Sequence, residues 1–522
     1  MNWKRPLALS TAALMLGTAL AACGNPTAAA PDPTPTPAAE VQSLSTTGST
    51  VKAPKYVFLF IGDGMSYPQI QSTSDFLGAL NDADYRQAQP SLDDNGGAIL
   101  DGPEYLNFMN FEAAGSAVTY DSNSFAPDSA STATSISTGY KTYSGSINVD
   151  ETGTISYETI AEQLHAQKGY SVGVITSVNL NHATPAAFYA HQASRNDYYD
   201  IGLELIDSGF EYFAGGGLLK PTGAEGDQAD LYALAEKAGY HVVKTQAEAE
   251  QVTGGPVVII DEHLADSDAM AYEIDRTDDM WALADYVEKG IEVLSQDKDG
   301  FFMMCEGGKI DWACHANDAA STIHDTQALA DAVQVAIDFA KEHADETLIL
   351  VTGDHETGGL TIGFAGTDYD TYLDLLESQK ISYAKFDSDY VSRYKEDKTS
   401  FEDVLKDVEA LFGLKTQGEE GDKLVLTDYE LEQLRAAYEK SVNGTAASQY
   451  EQEEYVLYGT YEPLSVTLTH IINNKSGISF TSYSHTGLPV AVLAHGVNAG
   501  QFNGYYDNTQ IYHKLAGMLG IA

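Results

Sequence analysis

Positively charged residues are scarce in this 522-residue sequence, in which 28 lysines and arginines stand against 76 aspartates and glutamates. The formal charge of −48 repels polyanions, which argues against nucleic acid as a partner of the general surface. Because 43% of the residues are hydrophobic, the acidity does not indicate disorder. A small anionic substrate would therefore require a strong local positive charge.

Long apolar runs are confined to the N-terminus, and no later segment approaches the roughly 20 apolar residues that span a membrane. Lys4 and Arg5 precede an apolar run that ends at Cys23, a pattern that predicts a secretory signal peptide over residues 1–22. The sequence LAAC at 20–23 resembles the bacterial lipoprotein cleavage box, so Cys23 is the predicted lipidation site; an ordinary signal peptide with an incidental cysteine is the alternative. The Pro-, Ala- and Thr-rich residues 23–52 then form a lipidated linker. We expect an exported protein with a soluble body, anchored by lipid to the membrane at the bacterial cell envelope, periplasmic or at the cell surface.

Cysteine is almost absent, with three in the chain. After Cys23, only Cys305 and Cys314 are left, both in the segment CEGGKIDWACH (305–315). A structural Cys/His zinc site would need two more ligands at close spacing, and none is nearby. Export permits a disulfide between these two cysteines, and their spacing neither requires nor excludes one.

Short apolar runs alternate with amphipathic segments, which predicts an α/β fold of three layers: a largely parallel central sheet covered by helices on both faces. The predicted strands are YVFLFIG (56–62), VGVIT (172–176), VVII (257–260), FFMM (301–304), LILVT (348–352) and VAVLA (490–494). Helical spacing occurs at 158–168, 279–294 and 323–340.

The domain prediction is a core over 53–365 and 463–522, interrupted by an acidic, Tyr-rich surface insertion over 366–462. In the insertion, Thr427 and Glu430 predict a capping box.

Metal-type side chains follow several predicted strands. These residues are Asp63, Glu306, Asp354 with His355, and His495. Ligands of open α/β sheets bind at the carboxyl ends of strands, so we expect these side chains to lie together.

Asp311 and His315 are four residues apart, a spacing that brings both to one face of a helical turn and suits one metal ion. A solvated Asp–His pair is the alternative. His485, a polar, loop-borne histidine, would complete such a site.

A hydroxyl-rich segment, PDSASTATSISTG (127–139), offers Asp128 as a helix cap and Ser129 at a helix N-terminus, where an anion is favoured. Ser129 is a candidate nucleophile, and a plain Ser/Thr-rich capped helix is the alternative. The segment 181–196 adds His182, Thr184 and Arg195, whose guanidinium can grip two phosphate oxygens unless it forms a surface ion pair.

In this order, the motifs DSA, HATPA…SR, EGGKIDWACH, GDHETGG and SHTG resemble the alkaline phosphatase family, over residues from about 55 to 365 and from about 463 to 522. The resemblance implies an exported hydrolase of phosphate monoesters that acts through a phosphoserine on Ser129, with Arg195 as the phosphate clamp and Asp128 orienting it. It also implies two Zn²⁺ ions and one Mg²⁺ ion per chain. The implied ligands are Asp311, His315 and His485 for the first zinc, Asp63, Asp354 and His355 for the second zinc, and Asp63, Thr184 and Glu306 for magnesium.

The resemblance is less specific at two positions, because some relatives carry Asp and Lys where this chain has His182 and Trp312. His182 is predicted to orient water at the magnesium site or to ligate the ion directly, and Trp312 to form a wall beside the site. The insertion lies where relatives vary. Its role could be to form a homodimer or to control substrate access, and the sequence does not decide between the two. A phosphodiesterase on the same fold and a non-catalytic phosphate-binding surface lipoprotein are the alternative functions; a sulfatase would need a CxPxR-type segment, and PDSAS lacks its proline and arginine.

Overall fold

A computed structural model describes residues 52–82, 100–444 and 452–521, and the predicted signal peptide, Cys23 and the linker before residue 52 lie outside them. The strands of the described residues are β1 (Tyr56–Gly62), β2 (Ala113–Val118), β3 (Ser171–Asn179), β4 (Tyr212–Gly216), β5 (His241–Val243), β6 (Val257–Ile260), β7 (Phe301–Gly307), β8 (Thr347–Gly353), β9 (Glu356–Thr357), β10 (Thr361–Ile362), β11 (Ile478–Ser479), β12 (His485–Thr486), β13 (Val490–Gly496) and β14 (Gly504–Asp507). All six predicted strands are among them. No helix of these residues combines the length and the apolar character needed to cross a membrane.

The α-helices of the same residues connect and cover the strands. They are α1 (Tyr67–Asn81), α2 (Ser129–Thr138), α3 (Ile160–Lys168), α4 (Ala183–Ala186), α5 (Tyr198–Ser208), α6 (Leu231–Ala238), α7 (Gln246–Ala249), α8 (Leu283–Leu294), α9 (Lys309–His315), α10 (Ala319–Glu342), α11 (Tyr383–Phe386), α12 (Ser392–Asp397), α13 (Phe401–Phe412), α14 (Asp428–Tyr438), α15 (Gln452–Tyr458), α16 (Pro463–Ser476) and α17 (Thr509–Leu519).

Ten strands of the described residues form the central sheet in the order β14-β2-β13-β8-β1-β7-β3-β4-β6-β5. Neighbouring strands run parallel except at β13, which is antiparallel to both β2 and β8. Strand β1 is fully buried, as parallel strands covered on both faces are.

Successive side chains of β1 point to opposite faces of the sheet and enter different cores. Val57 packs in a cluster with Ile136 of α2 on one face, and Phe58 packs with Val287 of α8 and Val333 of α10 on the other. The predicted three-layer α/β fold is confirmed.

His495 corrects one expectation from the sequence. Because β13 runs antiparallel to β8, Gly496 pairs with Leu348 near the start of β8, and His495 lies at the opposite edge of the sheet, where its Nδ1 is 2.6 Å from Glu112. Grouping His495 with the other metal-type side chains was wrong, since strand direction is not visible in an apolar run. The same reversal brings the residues before β13, including His485, to the edge where β1 and β8 end.

The described residues of the predicted insertion, 366–444 and 452–462, are mainly helical and form most of a separate hydrophobic cluster. Phe386, Tyr394, Phe401 and Phe412 are buried there, and Leu468 of α16 completes the packing. Thr427 and Glu430 form the predicted capping box at the start of α14.

Candidate metal centre and active site

Three parallel strands, β1, β7 and β8, end at one edge of the sheet and position four side chains there: Asp63, Glu306, Asp354 and His355. The register of β1 and β8 pairs Gly62 with Gly353, so Asp63 and Asp354 follow on adjacent strands, and β7 supplies Glu306 opposite Ile61. Asp63, Glu306 and Asp354 have no exposed surface. The predicted convergence at the carboxyl edge is confirmed for these residues.

The first group of candidate ligands is Asp311, His315 and His485. Asp311 and His315 lie one turn apart on α9, with His315 Nε2 3.3 Å from Asp311 Oδ2. His485 Nε2 is 3.6 Å from Asp311 Oδ1 and 3.1 Å from His315 Nε2. Backbone carbonyls fix both rings, because Nδ1 of His315 donates to Tyr483 at 2.6 Å and Nδ1 of His485 donates to Pro127 at 2.5 Å. Each Nε2 is thereby turned toward the group.

The second group is Asp63, Asp354 and His355, with His355 Nε2 3.2 Å from Asp63 Oδ1 and 3.5 Å from Asp354 Oδ2. Thr357, which the sequence reasoning missed, joins it to the first group. The Thr357 hydroxyl donates to Asp311 at 2.5 Å and lies 3.3 Å from His355 Nδ1. Its place two residues after His355 in GDHETGG was the available signal.

The third group is Asp63, Glu306 and His182, whose ligand atoms lie within 4.8 Å of one another. Thr184 is also present, with its hydroxyl 3.4 Å from Asp63 Oδ2. Thr176, which was not predicted, donates a short hydrogen bond to Glu306 Oε2. The other carboxylate oxygen of Glu306 and Nδ1 of His182 are buried without a hydrogen-bond partner among the described residues. His182 is thus placed either to ligate an ion bound by this group or to orient water beside it.

Ser129 begins α2 beside the second group. Its Oγ lies 3.1 Å from His355 Nε2 and 3.4 Å from Asp63 Oδ1. The predicted cap is present, because Asp128 Oδ1 accepts from the Ser131 amide at 3.1 Å. The first backbone amides of a helix and its dipole favour an anion at this position.

Arg195 is the basic side chain of the site. Its Nη1 donates to Asp128 Oδ2 at 2.8 Å, and its Nη2 is 3.4 Å from His182 Nε2. Burial raises the pKa of Asp128, but the charge of Arg195 outweighs it and holds that pKa below its usual value. Asp128 therefore caps α2 with one oxygen and orients the guanidinium with the other.

A cavity of about 320 Å³ opens onto these residues. The polar and charged residues that line it are Ser129, Arg195, His182, Ser267 and the first group of ligands. Its aromatic lining residues are Trp312, Tyr383 and Tyr461. Trp312 stands beside the site as predicted, 5.9 Å from the His182 ring. No sequence pattern pointed to Tyr383 or Tyr461, which come from the insertion.

Burial and mutual repulsion shift the acidic pKa values. Burial and the negative charge of Asp63 together raise the pKa of Glu306 well above its usual range. The same two effects raise the pKa of Asp354 to about 8. Burial lowers the pKa of His355, but Asp354 and Asp63 outweigh it and raise it to about 10. Unpaired charge of one sign is costly to bury, so the full set of carboxylates ionises only with added positive charge.

The donor atoms fit metal cations. The first two groups combine imidazole nitrogen with carboxylate oxygen, as zinc prefers, and Asp63, Thr184 and Glu306 offer oxygen only, as magnesium prefers. The unpartnered oxygen of Glu306 is where such an ion would bind. Cys305 and Cys314 belong to none of the groups; both are buried free thiols.

Known proteins resemble this chain over most of its length. A family model described as Alkaline phosphatase matches residues 54–521. Alkaline phosphatase 3 of Bacillus subtilis (strain 168) is 30% identical over 465 residues, which cover 88% of this chain and 87% of that protein. A crystal structure of a cold-active alkaline phosphatase from Shewanella sp. superimposes with a TM-score of 0.70 at 28% identity, covering 89% of this chain and 99% of that one. The Thermus thermophilus alkaline phosphatase shares the fold, with a TM-score of 0.71 at 24% identity over 90% of this chain and 92% of that one.

Proposed function

The chain belongs to the alkaline phosphatase family of phosphate monoesterases, and on that premise we propose that it acts through a phosphoserine on Ser129 with two Zn²⁺ ions and one Mg²⁺ ion. One observation carries the proposal: the hydroxyl of Ser129 lies 3.4 Å from buried Asp63, whose carboxylate is grouped with those of Asp354 and Glu306, and Ser129 lines one cavity with Asp311. Ionised carboxylates this close together are costly to bury, so bound cations would stabilise the assembly. A phosphate dianion would bind there only together with such cations, because the carboxylates alone repel it.

The zinc ions would be held by Asp311, His315 and His485 and by Asp63, Asp354 and His355. The magnesium ion would be held by Asp63, Thr184 and Glu306, with His182 beside it. When bound, the ions supply Lewis-acid stabilisation of the attacking and leaving oxygens of an in-line displacement.

The protein's own groups bind and orient the ester. Arg195, held by Asp128, grips two phosphate oxygens with the donors that Asp128 leaves free. The Oγ of Ser129 loses its proton to solvent and forms a bond to phosphorus, while the bond from phosphorus to the leaving oxygen breaks and that oxygen takes up a proton from solvent to depart as the alcohol. Water then cleaves the phosphoserine, which releases inorganic phosphate and restores the hydroxyl.

Ser129→Ala tests the serine mechanism. The holoenzyme is incubated with a chromogenic phosphate monoester, quenched in acid and examined by peptide mass spectrometry. Phosphate on Ser129 of the wild type and loss of turnover in the variant are expected. The matched control is Ser135→Ala on the same helix, since that buried hydroxyl donates to the Ser131 carbonyl and has no other hydrogen-bond partner among the described residues. Full turnover in Ser129→Ala contradicts the phosphoserine.

Export and lipid anchoring form a separate part of the proposal, supported by the signal-like residues 1–22 and by LAAC at 20–23. Membrane association of the full chain should be lost in Cys23→Ser and kept in Ser43→Ala, a change within the linker. Equal membrane association of the two variants contradicts an anchor on Cys23.

A further inference from the structure

Three aromatic rings contribute to the lining of the catalytic cavity. Trp312, Tyr383 and Tyr461 line the same cavity as Ser129 and Arg195. Trp312 belongs to α9, which also carries Asp311 and His315, whereas Tyr383 begins α11 and Tyr461 follows α15. The insertion thus contributes two of the three rings.

These rings belong to a connected aromatic cluster. Tyr383 and Tyr461 meet edge to face with centroids 5.6 Å apart, and Tyr461 lies 6.2 Å from Tyr483. On the other side, Tyr383 lies 5.8 Å from Tyr272, and their hydroxyls are 3.1 Å apart.

Lys309 connects this cluster to Trp312. Its buried ammonium lies 4.0 Å from the centroid of the Tyr272 ring and 4.6 Å from that of Trp312, and bonds to Asp266 at 2.6 Å. Cation–π contacts of a desolvated ammonium restrict both rings.

Buried hydrogen bonds fix the insertion to the core at this point. Asp318, three residues after His315 and fully buried, accepts from the Tyr383 amide at 3.0 Å and from Gln379 Nε2 at 2.8 Å. Asp275 accepts from the Ser382 amide at 3.0 Å. The position of Tyr383 is therefore set in part by the same core segment that carries Asp311 and His315 of the first group.

A fixed aromatic surface beside a phosphate site favours a planar partner, because stacked and edge-to-face rings attract beyond the effect of area alone. The volume of about 320 Å³ is at the small end of the range for ligand sites. We propose, on the basis of the function proposed above, that Trp312, Tyr383 and Tyr461 bind the leaving group, and that the preferred substrates are phosphate monoesters with a planar aromatic ring. Nucleoside monophosphates and aryl phosphates share this chemistry.

The test compares adenosine 5′-monophosphate with ribose 5-phosphate, which releases the same kind of primary alcohol but lacks the base. The ratio of their kcat/KM values is measured for the holoenzyme and for Tyr461→Leu, Tyr383→Leu and Tyr461→Phe. Loss of one ring contact should lower the ratio about two- to tenfold in the leucine variants. Tyr461→Phe keeps the ring and should keep the ratio. Tyr429→Leu, a change at an exposed tyrosine on α14, is the control on the same insertion.

Phenyl phosphate separates the two sources of the ring. A larger effect of Tyr461→Leu on phenyl phosphate than on the nucleotide assigns the surface to aryl esters, and the reverse assigns it to nucleotides. An unchanged ratio in both leucine variants, with phenyl phosphate turnover also unaffected, overturns the inference while leaving the monoesterase intact. A wild-type holoenzyme that cleaves none of the three esters overturns the proposed function and this inference together.

Discussion

Replacing Glu306 with glutamine removes one negative charge from a fully buried group and keeps the shape of the side chain. Ligand oxygens of Glu306 and Asp63 lie within 4.8 Å of each other. At an effective dielectric constant of about 20, two unit charges at that separation repel by about 3.5 kcal/mol. In protein stripped of metal by a chelator, the wild type must either bear this repulsion or hold a proton on Glu306, so at neutral pH Glu306→Gln should raise the free energy of unfolding by up to about 3 kcal/mol.

For a folded unit of about 470 residues, that gain corresponds to a rise in Tm of about 3 °C. With Mg²⁺ restored, the difference should shrink or reverse, because the variant has lost a ligand and with it part of the stabilisation that bound metal provides. Differential scanning calorimetry of both proteins, with chelator and with Mg²⁺, measures the two differences.

The pH dependence of the free energy of unfolding gives a second readout of the Glu306→Gln substitution. Burial and Asp63 raise the pKa of Glu306 in the folded chain above the ordinary value of 4.5, so the folded state holds its proton to higher pH than the unfolded state does. Stability of the metal-free wild type should then fall as pH rises above about 4.5, and this fall should be smaller in Glu306→Gln.

Glu356→Gln is the matched control, because Glu356 is equally buried but accepts hydrogen bonds from Gln69, from the amides of Gly359 and Leu360 and from Thr486. An amide group there would face donors, so this variant should lose about 1–3 kcal/mol with or without metal. A metal-free Glu306→Gln protein that is no more stable than the wild type refutes the argument from buried repulsion.

Two further predictions concern charges outside the metal groups. Asp128→Asn removes the ion pair that orients Arg195, so product inhibition by inorganic phosphate should weaken about tenfold. Metal content, measured by elemental analysis, should stay at the wild-type value. Unchanged inhibition contradicts the orienting role. His191 is largely buried, which lowers its pKa, but Glu162 and Glu204 outweigh burial and raise it to about 10. The contribution of His191 and its two glutamates to the free energy of unfolding should be complete below about pH 6.5 and should be lost as pH rises through about 10. Urea titrations at several pH values should show this loss in the wild type and not in His191→Gln.

The sequence predicted the parts of the molecule that are encoded locally. Continuous apolar runs identified β1, β7 and β8, and the i,i+4 spacing of Asp311 and His315 placed both on one turn of α9. Strands β2, β4, β5 and β14 escaped prediction because they are short and rich in glycine, alanine or polar residues.

Features that depend on distant segments were not predictable in this way. The direction of β13 depends on its pairing with β2 and β8, and it decided that His485, rather than His495, reaches the metal groups. Tyr383 reaches the cavity because Asp318 holds its backbone, and no local pattern near residue 383 reports that contact.

The position of β13 also bears on the order in which the chain can be completed. It lies between β2 and β8, although the ribosome makes it after both of them, so β8 has no partner on that side until residues 490–496 exist. The segment just before β13 carries His485, so the first group of ligands is incomplete over the same interval. Chains cut short before this segment therefore carry an unpaired strand edge, a known site of aggregation, and lack one of the candidate ligands. Binding of metal by the complete first group would then require a chain that extends past His485.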